Sequence, residues 1–249
     1  MTLADLFLES SALLVGSAFL LALLVGSFLN VVIHRLPIML DRQWRAQARE
    51  MLTAPDSPAP LTEREPAEER YNLIVPRSAC PHCGAPVRVH QNIPVVSWLL
   101  LGGKCATCNA GISPRYPIVE LATALLSAAV VWRFGFHWQS VAALFLTWAL
   151  VALTVIDLDH QILPDVITLP LLWLGLLASL AWQPGLIPPI PADPISAILG
   201  AAAGYLSLWS VYWAFKLLTG KEGMGYGDFK LFGAFGAWMG WQMLPLILL

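Results

Sequence analysis

Charge is what this sequence has least of. Of 249 residues only 12% are Asp, Glu, Lys or Arg, about half the share of an ordinary soluble domain. That excludes a water-exposed surface over most of the chain. No basic stripe is present, and a net charge of −2 gives nucleic acid nothing to bind, so no nucleic-acid partner is implied. Residues 1–10 contain Asp5 and Glu9 but no Lys or Arg. A signal-peptide start and its small-residue cleavage site are therefore missing, and the first apolar run is expected to remain as an anchor. Gly-Lys-Ser/Thr is absent, which removes a phosphate loop. There is no dinucleotide fingerprint and no Ser-His-Asp set.

What remains is apolar: 57% hydrophobic with 11 Trp and a mean hydropathy of +0.67. Stretches long enough to cross a hydrocarbon core of roughly 30 Å occur at 11–33, 116–132, 138–156, 166–185, 194–215 and 231–249, with Glu120 the one charge among them. Each is expected to be helical, because a single segment in lipid can satisfy its backbone in no other way. The fold class is thus an all-α polytopic membrane protein of about six helices. Its domains are expected to be a first transmembrane helix (1–33), a polar insert (34–115) and a five-helix core (116–249). No internal repeat is evident. Within the insert, 41–70 mixes charges with Pro55, Pro58, Pro60 and Pro66 and reads as a mobile linker. Residues 92–101 are apolar but too short to span.

Ten of the fourteen basic residues (Arg35, Arg42, Arg45, Arg49, Arg64, Arg70, Arg77, Arg88, Lys104, Arg115) lie in the insert, which places it in the cytoplasm. Alternate crossings then put 157–165 and 216–230 on the same side, with Lys216, Lys221 and Lys230 in agreement. The external turns are 134–137 and 184–194.

Cys80-Pro-His-Cys83 and Cys105-Ala-Thr-Cys108 are two C-x-x-C turns separated by 21 residues. Each presents two sulfurs with the bite that a tetrahedral Zn²⁺ requires, and four thiolates leave no open position for chemistry, so a structural zinc is expected. Disulfides compete, but the cytoplasmic placement argues against them. His82 offers an unneeded fifth donor.

Two carboxylates stand at the edges of apolar runs, where charge is costly and marks function. Asp157 follows the uncharged run 138–156 and, at a helix C-terminus, opposes the macrodipole. Asp228 lies in Glu222-Gly223-Met224-Gly225-Tyr226-Gly227-Asp228-Phe229-Lys230, whose glycines could admit an extended substrate strand. On its own this motif fits equally well a glycine turn with Asp228 capping the last helix. Asp165, after Pro164, suits a helix cap, Asp159 a solvated loop charge, and His160 a surface histidine. Paired, Asp157 and Asp228 would share a proton and hydrolyse an amide by general acid/base catalysis, with neither role assigned to either residue. Glu120, with Glu63, Glu65, Glu68 and Glu69, could attract a basic peptide, although the cluster also reads simply as a solvated linker.

The motifs Gly26-Ser27-Phe28-Leu29-Asn30, His34-Arg35-Leu36-Pro37, Pro76-Arg77-Ser78-Ala79-Cys80-Pro81-His82-Cys83 and Ser113-Pro114-Arg115-Tyr116-Pro117-Ile118-Val119-Glu120, followed by the segments 156–170 and 222–231, run nearly the length of the chain. In them the chain resembles the type IV prepilin peptidases. The resemblance implies a GxGD-type aspartic endopeptidase of the bacterial inner membrane. Such an enzyme cuts the basic leader from prepilins of type IV pili and pseudopilins of type II secretion, at the cytoplasmic face. It then methylates the new N-terminus with S-adenosylmethionine. The resemblance places the catalytic pair at Asp157 and Asp228, the zinc ligands at Cys80, Cys83, Cys105 and Cys108, and a methylation-linked glycine at Gly103. Family members usually carry about two more helices, eight in all, so this chain is expected either to be shortened or to show that those helices are dispensable. The competing readings are another GxGD intramembrane protease and a zinc-bearing membrane scaffold or transporter.

Overall fold

The computed structural model describes residue 7 and residues 10–52, 71–185 and 190–249. Helix α1 (Ser11–Leu52) is followed by a 3-10 turn (Val89–Asn92), α2 (Val96–Leu100), α3 (Arg115–Phe134), α4 (Trp138–His160), α5 (Asp165–Ser179), α6 (Pro194–Thr219), α7 (Tyr226–Met239), a 3-10 turn (Trp241–Met243) and α8 (Leu244–Leu248). No strand occurs among the described residues, only the isolated bridges Ala79–Pro86 and Lys104–Gly111. The all-helical expectation holds.

Helix ends follow local chemistry. Asp193 caps α6 by accepting the Ser196 N–H at 3.0 Å, which holds its carboxyl below the usual range, and Pro194 supplies the preset φ of a first helical residue. Gly220, at φ 70°, closes the same helix. Beyond residue 33, α1 continues through His34 to Leu52. Part of the expected linker is therefore helical: 41–52 is rich in Arg, Gln, Ala, Leu and Met, all good helix formers, and Arg45 pairs with Asp41 one turn away at 2.9 Å. The proline-bearing residues 55–66 lie outside the described residues, as do Asp5, Glu9, Glu63, Glu65, Glu68 and Glu69.

Four described helices (α1, α3, α4, α6) are each long and apolar enough to cross a membrane, and α7 with the short helix after it forms a fifth candidate. That last pair departs from the single span expected at 231–249, because the chain turns by 119° at Gly240, which sits at φ 79°. An uncharged run hid the break. The run at 166–185 likewise yields a helix of only 15 residues, α5.

The chain forms two compact units, Leu20–Ala124 and a second built from Leu125–Leu249 with the start of the chain as far as Phe19. In the larger unit α7 packs chiefly on α6 and α5. Trp238 is buried and donates to the Leu171 carbonyl at 2.8 Å, and Gly175 makes the room, since a Cβ there would lie 2.6 Å from the indole. Against α6 the approach is backbone on backbone: Gly200 and Gly204 face Gly233 and Gly236. Gly200-Ala-Ala-Ala-Gly204 is a small-xxx-small stripe of the kind that lets membrane helices meet closely. Leucine at Gly204, where even a Cβ would come within 2.5 Å of the Phe232 carbonyl oxygen, is expected to destabilise the α6–α7 pair by about 3 kcal/mol. Thermal unfolding of the detergent-solubilised variant measures this.

Candidate active site and metal centre

The unit 20–124 holds the cysteines. In each C-x-x-C turn the first cysteine N–H bonds a carbonyl five residues on, Cys80 to Ala85 at 2.9 Å and Cys105 to Ala110 at 2.8 Å. The residue after the second cysteine is left-handed in both, Gly84 at φ 68° and Asn109 at φ 58°. The two turns are thus copies of one knuckle, Cys-x-x-Cys-Gly/Asn-Ala, a local repeat that the sequence search overlooked because only three positions recur. Their four sulfurs lie within 4.8 Å of one another, and Cys80 Sγ to Cys108 Sγ is 3.8 Å. Tetrahedral sulfurs about 2.3 Å from a zinc ion stand about 3.8 Å apart, so the residues fit that metal. The backbone N–H groups of Cys108 and Thr107 lower the Cys105 thiol to about 6. At Cys108 the Ala110 N–H favours the thiolate, but burial and the neighbouring thiols outweigh it and push the group up to about 11. His82 is exposed and stands outside the four-sulfur group.

Gly103 has its own local reason. It is left-handed (φ 68°), bonds the Trp98 carbonyl at 2.9 Å, and would press any Cβ against the Trp98 ring at 2.8 Å. The space a side chain would need is filled by that indole. Glu120 has a partner inside the fold. It is buried, accepts the Val95 N–H at 2.7 Å and bonds the Ser27 hydroxyl, which holds Val95 at φ 58°, an unusual conformation for a β-branched residue. Arg35, equally buried, donates to the carbonyls of Asn72 (2.9 Å) and Pro76 (2.6 Å) and so fastens α1 to the segment before the first knuckle.

The larger unit holds the aspartates. Helix α4 continues past Ile156 and ends at His160, closed by Gln161 at φ 54°. Asp157, Asp159 and His160 are therefore exposed residues of its last turn rather than of a loop. Asp228 is half-buried at the third position of α7, and its Oδ2 accepts the Gly225 N–H at 3.1 Å. The capping reading of Asp228 is therefore real, and the charge of Asp157 is still felt at its carboxyl. Gly227 explains the approach: a Cβ there would lie 2.7 Å from Leu163 Cβ, so α7 begins directly against the segment that leaves α4. At Gly223 and Gly227 the close neighbours are the Phe215 ring and Leu163. Asp165 makes no cap. It opens α5 after Pro164, and its two oxygens accept from Lys230 Nζ at 2.7 and 2.6 Å.

Sequence reading missed the aromatic wall behind Asp228. Phe229 is fully buried with Tyr205, Tyr212 and Tyr226 around it at ring separations of 5.6–6.0 Å. Lys216 bridges the Tyr212 hydroxyl (3.2 Å) and Glu222 (2.9 Å), and through that hydrogen bond holds the Glu222 carboxyl below its ordinary value. The seven-residue spacing from Tyr205 to Tyr212, two helical turns, was the available signal.

Residues 20–134 match the Bacterial Peptidase A24 N-terminal domain and residues 144–249 the Type IV leader peptidase family. The chain is 57% identical over its whole length to the prepilin leader peptidase/N-methyltransferase of Pseudomonas aeruginosa, covering 81% of that protein. The enzyme of the same name from Aeromonas salmonicida is 59% identical over 93% of this chain and 75% of the relative. For Neisseria gonorrhoeae the identity is 51%, over 93% of this chain and 76% of the relative. No solved structure matches the chain.

Proposed function

On the premise that the chain belongs to the type IV leader peptidase family, we propose that it is a membrane endopeptidase and N-methyltransferase whose aspartyl dyad is Asp157 with Asp228. It removes the leader of prepilins, and of type II secretion pseudopilins, and methylates the amine so exposed. The single observation that carries the dyad is that Gly227 lets α7 begin directly against Leu163, six residues beyond Asp157, so that the charge of Asp157 is felt at Asp228.

The chemistry follows from one shared proton. Two neighbouring carboxylates resist double ionisation, so one stays protonated. The ionised member takes a proton from water while its partner donates to the scissile carbonyl oxygen, giving a tetrahedral diol. Collapse breaks the C–N bond, a proton passes to the departing amine, and the dyad returns to one proton. The macroscopic titration belongs to the pair. S-adenosylmethionine supplies an electrophilic methyl group that the freed amine, once deprotonated, takes up. Gly103 enters as the residue that shapes the turn under Trp98, and the donor is assigned no contact there.

The basic insert supports a cytoplasmic orientation in the bacterial inner membrane. A prepilin has an apolar helix in the bilayer and a basic leader in the cytoplasm, which brings its cleavage site to the depth of the helix ends carrying Asp157 and Asp228. Zinc on Cys80, Cys83, Cys105 and Cys108 would be structural. The test is incubation of the purified chain in lipid with a prepilin, a generic signal peptide and S-adenosylmethionine, read by mass spectrometry. The expected result is a leaderless, singly methylated pilin and an intact signal peptide. Cleavage of the signal peptide instead would point to a different intramembrane protease, and cleavage of neither substrate would oppose an enzyme.

A further inference from the structure

We propose that the Lys230–Asp165 ion pair positions the aspartyl dyad, setting how α7 seats against the connection from α4 to α5. The inference rests on Asp157 and Asp228 being that dyad. Lys230 lies two residues beyond Asp228 and Asp165 eight beyond Asp157, so the pair ties together the two stretches of chain that hold the reacting carboxylates. Both Asp165 oxygens receive the ammonium, at 2.7 and 2.6 Å.

The register on α7 gives the pair its leverage. Gly227 and Lys230 are three residues apart and so share a helix face. Gly227 abuts Leu163 while Lys230 reaches Asp165, which docks α7 at two successive points on one short segment. Further along, Leu231, Ala234 and Trp238 join Leu153, Leu163 and Leu171 in the hydrophobic core. Phe229 is clasped elsewhere by Tyr205 and Tyr212. Asp228 sits between these attachments, and its direction depends on how α7 is turned and how deeply it sits.

Magnitudes separate positioning from stability. The side chains of Lys230 and Asp165 are 26% and 54% exposed, and an ion pair that wet contributes at most about 1 kcal/mol. A displacement of about 1 Å at a reacting centre, in contrast, costs about 100-fold in rate. Electrostatic preference does not explain the lysine either. It stands near the N-terminal end of α7, where the helix dipole disfavours a cation, whereas Asp165 in the first turn of α5 is favoured. The lysine is accounted for by its partner.

The experiment compares Lys230→Met, Asp165→Asn and the reversed pair Lys230→Asp with Asp165→Lys, all in the full chain in lipid, alongside Asp157→Asn and Asp228→Asn. It reads kcat and KM for prepilin cleavage, the thermal midpoint, and methylation of a pre-cleaved pilin. Each single change is expected to lower kcat about 10- to 100-fold, with KM, thermal midpoint and methylation unmoved. The reversed pair is expected to regain about tenfold of that loss. Singles that cleave at the unmodified rate while the Asp157 and Asp228 variants are dead would overturn the positioning role and leave the dyad standing. A kcat loss that comes with an equal loss of thermal stability and methylation, or a reversal that restores nothing, would overturn it too. Cleavage by the Asp157 or Asp228 variant would remove the dyad itself and the inference with it.

Discussion

Asparagine at either Asp157 or Asp228 is expected to lower prepilin cleavage by at least about 10³-fold, the scale of losing a general acid or base, while leaving methylation of a pre-cleaved pilin in place. The substitution is chosen because it changes protonation and little else. At 228 an asparagine oxygen still accepts the Gly225 N–H that Asp228 holds at 3.1 Å, so the start of α7 survives. At 157 the side chain is exposed on the last turn of α4, where an amide is as well solvated as a carboxylate. What disappears is the shared proton. In the unmodified enzyme, cleavage should rise and then fall with pH: at low pH both carboxyls are protonated and no base remains, and at high pH both are ionised and no acid remains. Rates measured on a fluorescent prepilin peptide across the pH range check this. Undiminished cleavage in either variant would refute the pairing, and a monotonic pH profile would refute the shared proton.

The helices were legible because an uncharged run in lipid can satisfy its backbone only by coiling, and the cysteine knuckles because C-x-x-C is a bite as well as a spelling. Where reading failed, the deciding contact lay far off in the chain. Glu120 read as the one charge in an apolar run, and its partner is Val95, 25 positions earlier. Asp165 looked like a cap until Lys230, 65 positions later, claimed it. At Gly223 and Gly227 the sequence announced close approach but not of what, and the neighbours are Phe215 and Leu163. Gly240 broke a span that composition alone made continuous, since hydropathy carries no information about φ. The Gly200–Gly204 stripe was readable in principle, but within a helix so rich in small apolar residues it does not stand out.

Serine at both Cys80 and Cys83 is expected to release the metal and unravel the knuckle region 76–113, the other effect of large size. Beyond the Arg35–Pro76 and Glu120–Val95 hydrogen bonds, little else holds that stretch. Its described regular structure amounts to two isolated bridges, a 3-10 turn and the five-residue α2. Of the four cysteines only Cys105 is buried, so the apolar core there is small. A structural zinc on four thiolates contributes on the order of 10 kcal/mol, more than such a core can replace, whereas α4 to α7 have their own core around Leu153, Leu171 and Trp238. Metal analysis of the purified chain should therefore find one zinc per molecule in the unmodified protein and none in the variant. Limited proteolysis should then cut within 76–113 only when the metal is lost or chelated, while the helices from Trp138 onward stay protected. An unchanged cleavage pattern after chelation would mean that the four sulfurs, though gathered at the separation zinc requires, do not hold the insert together.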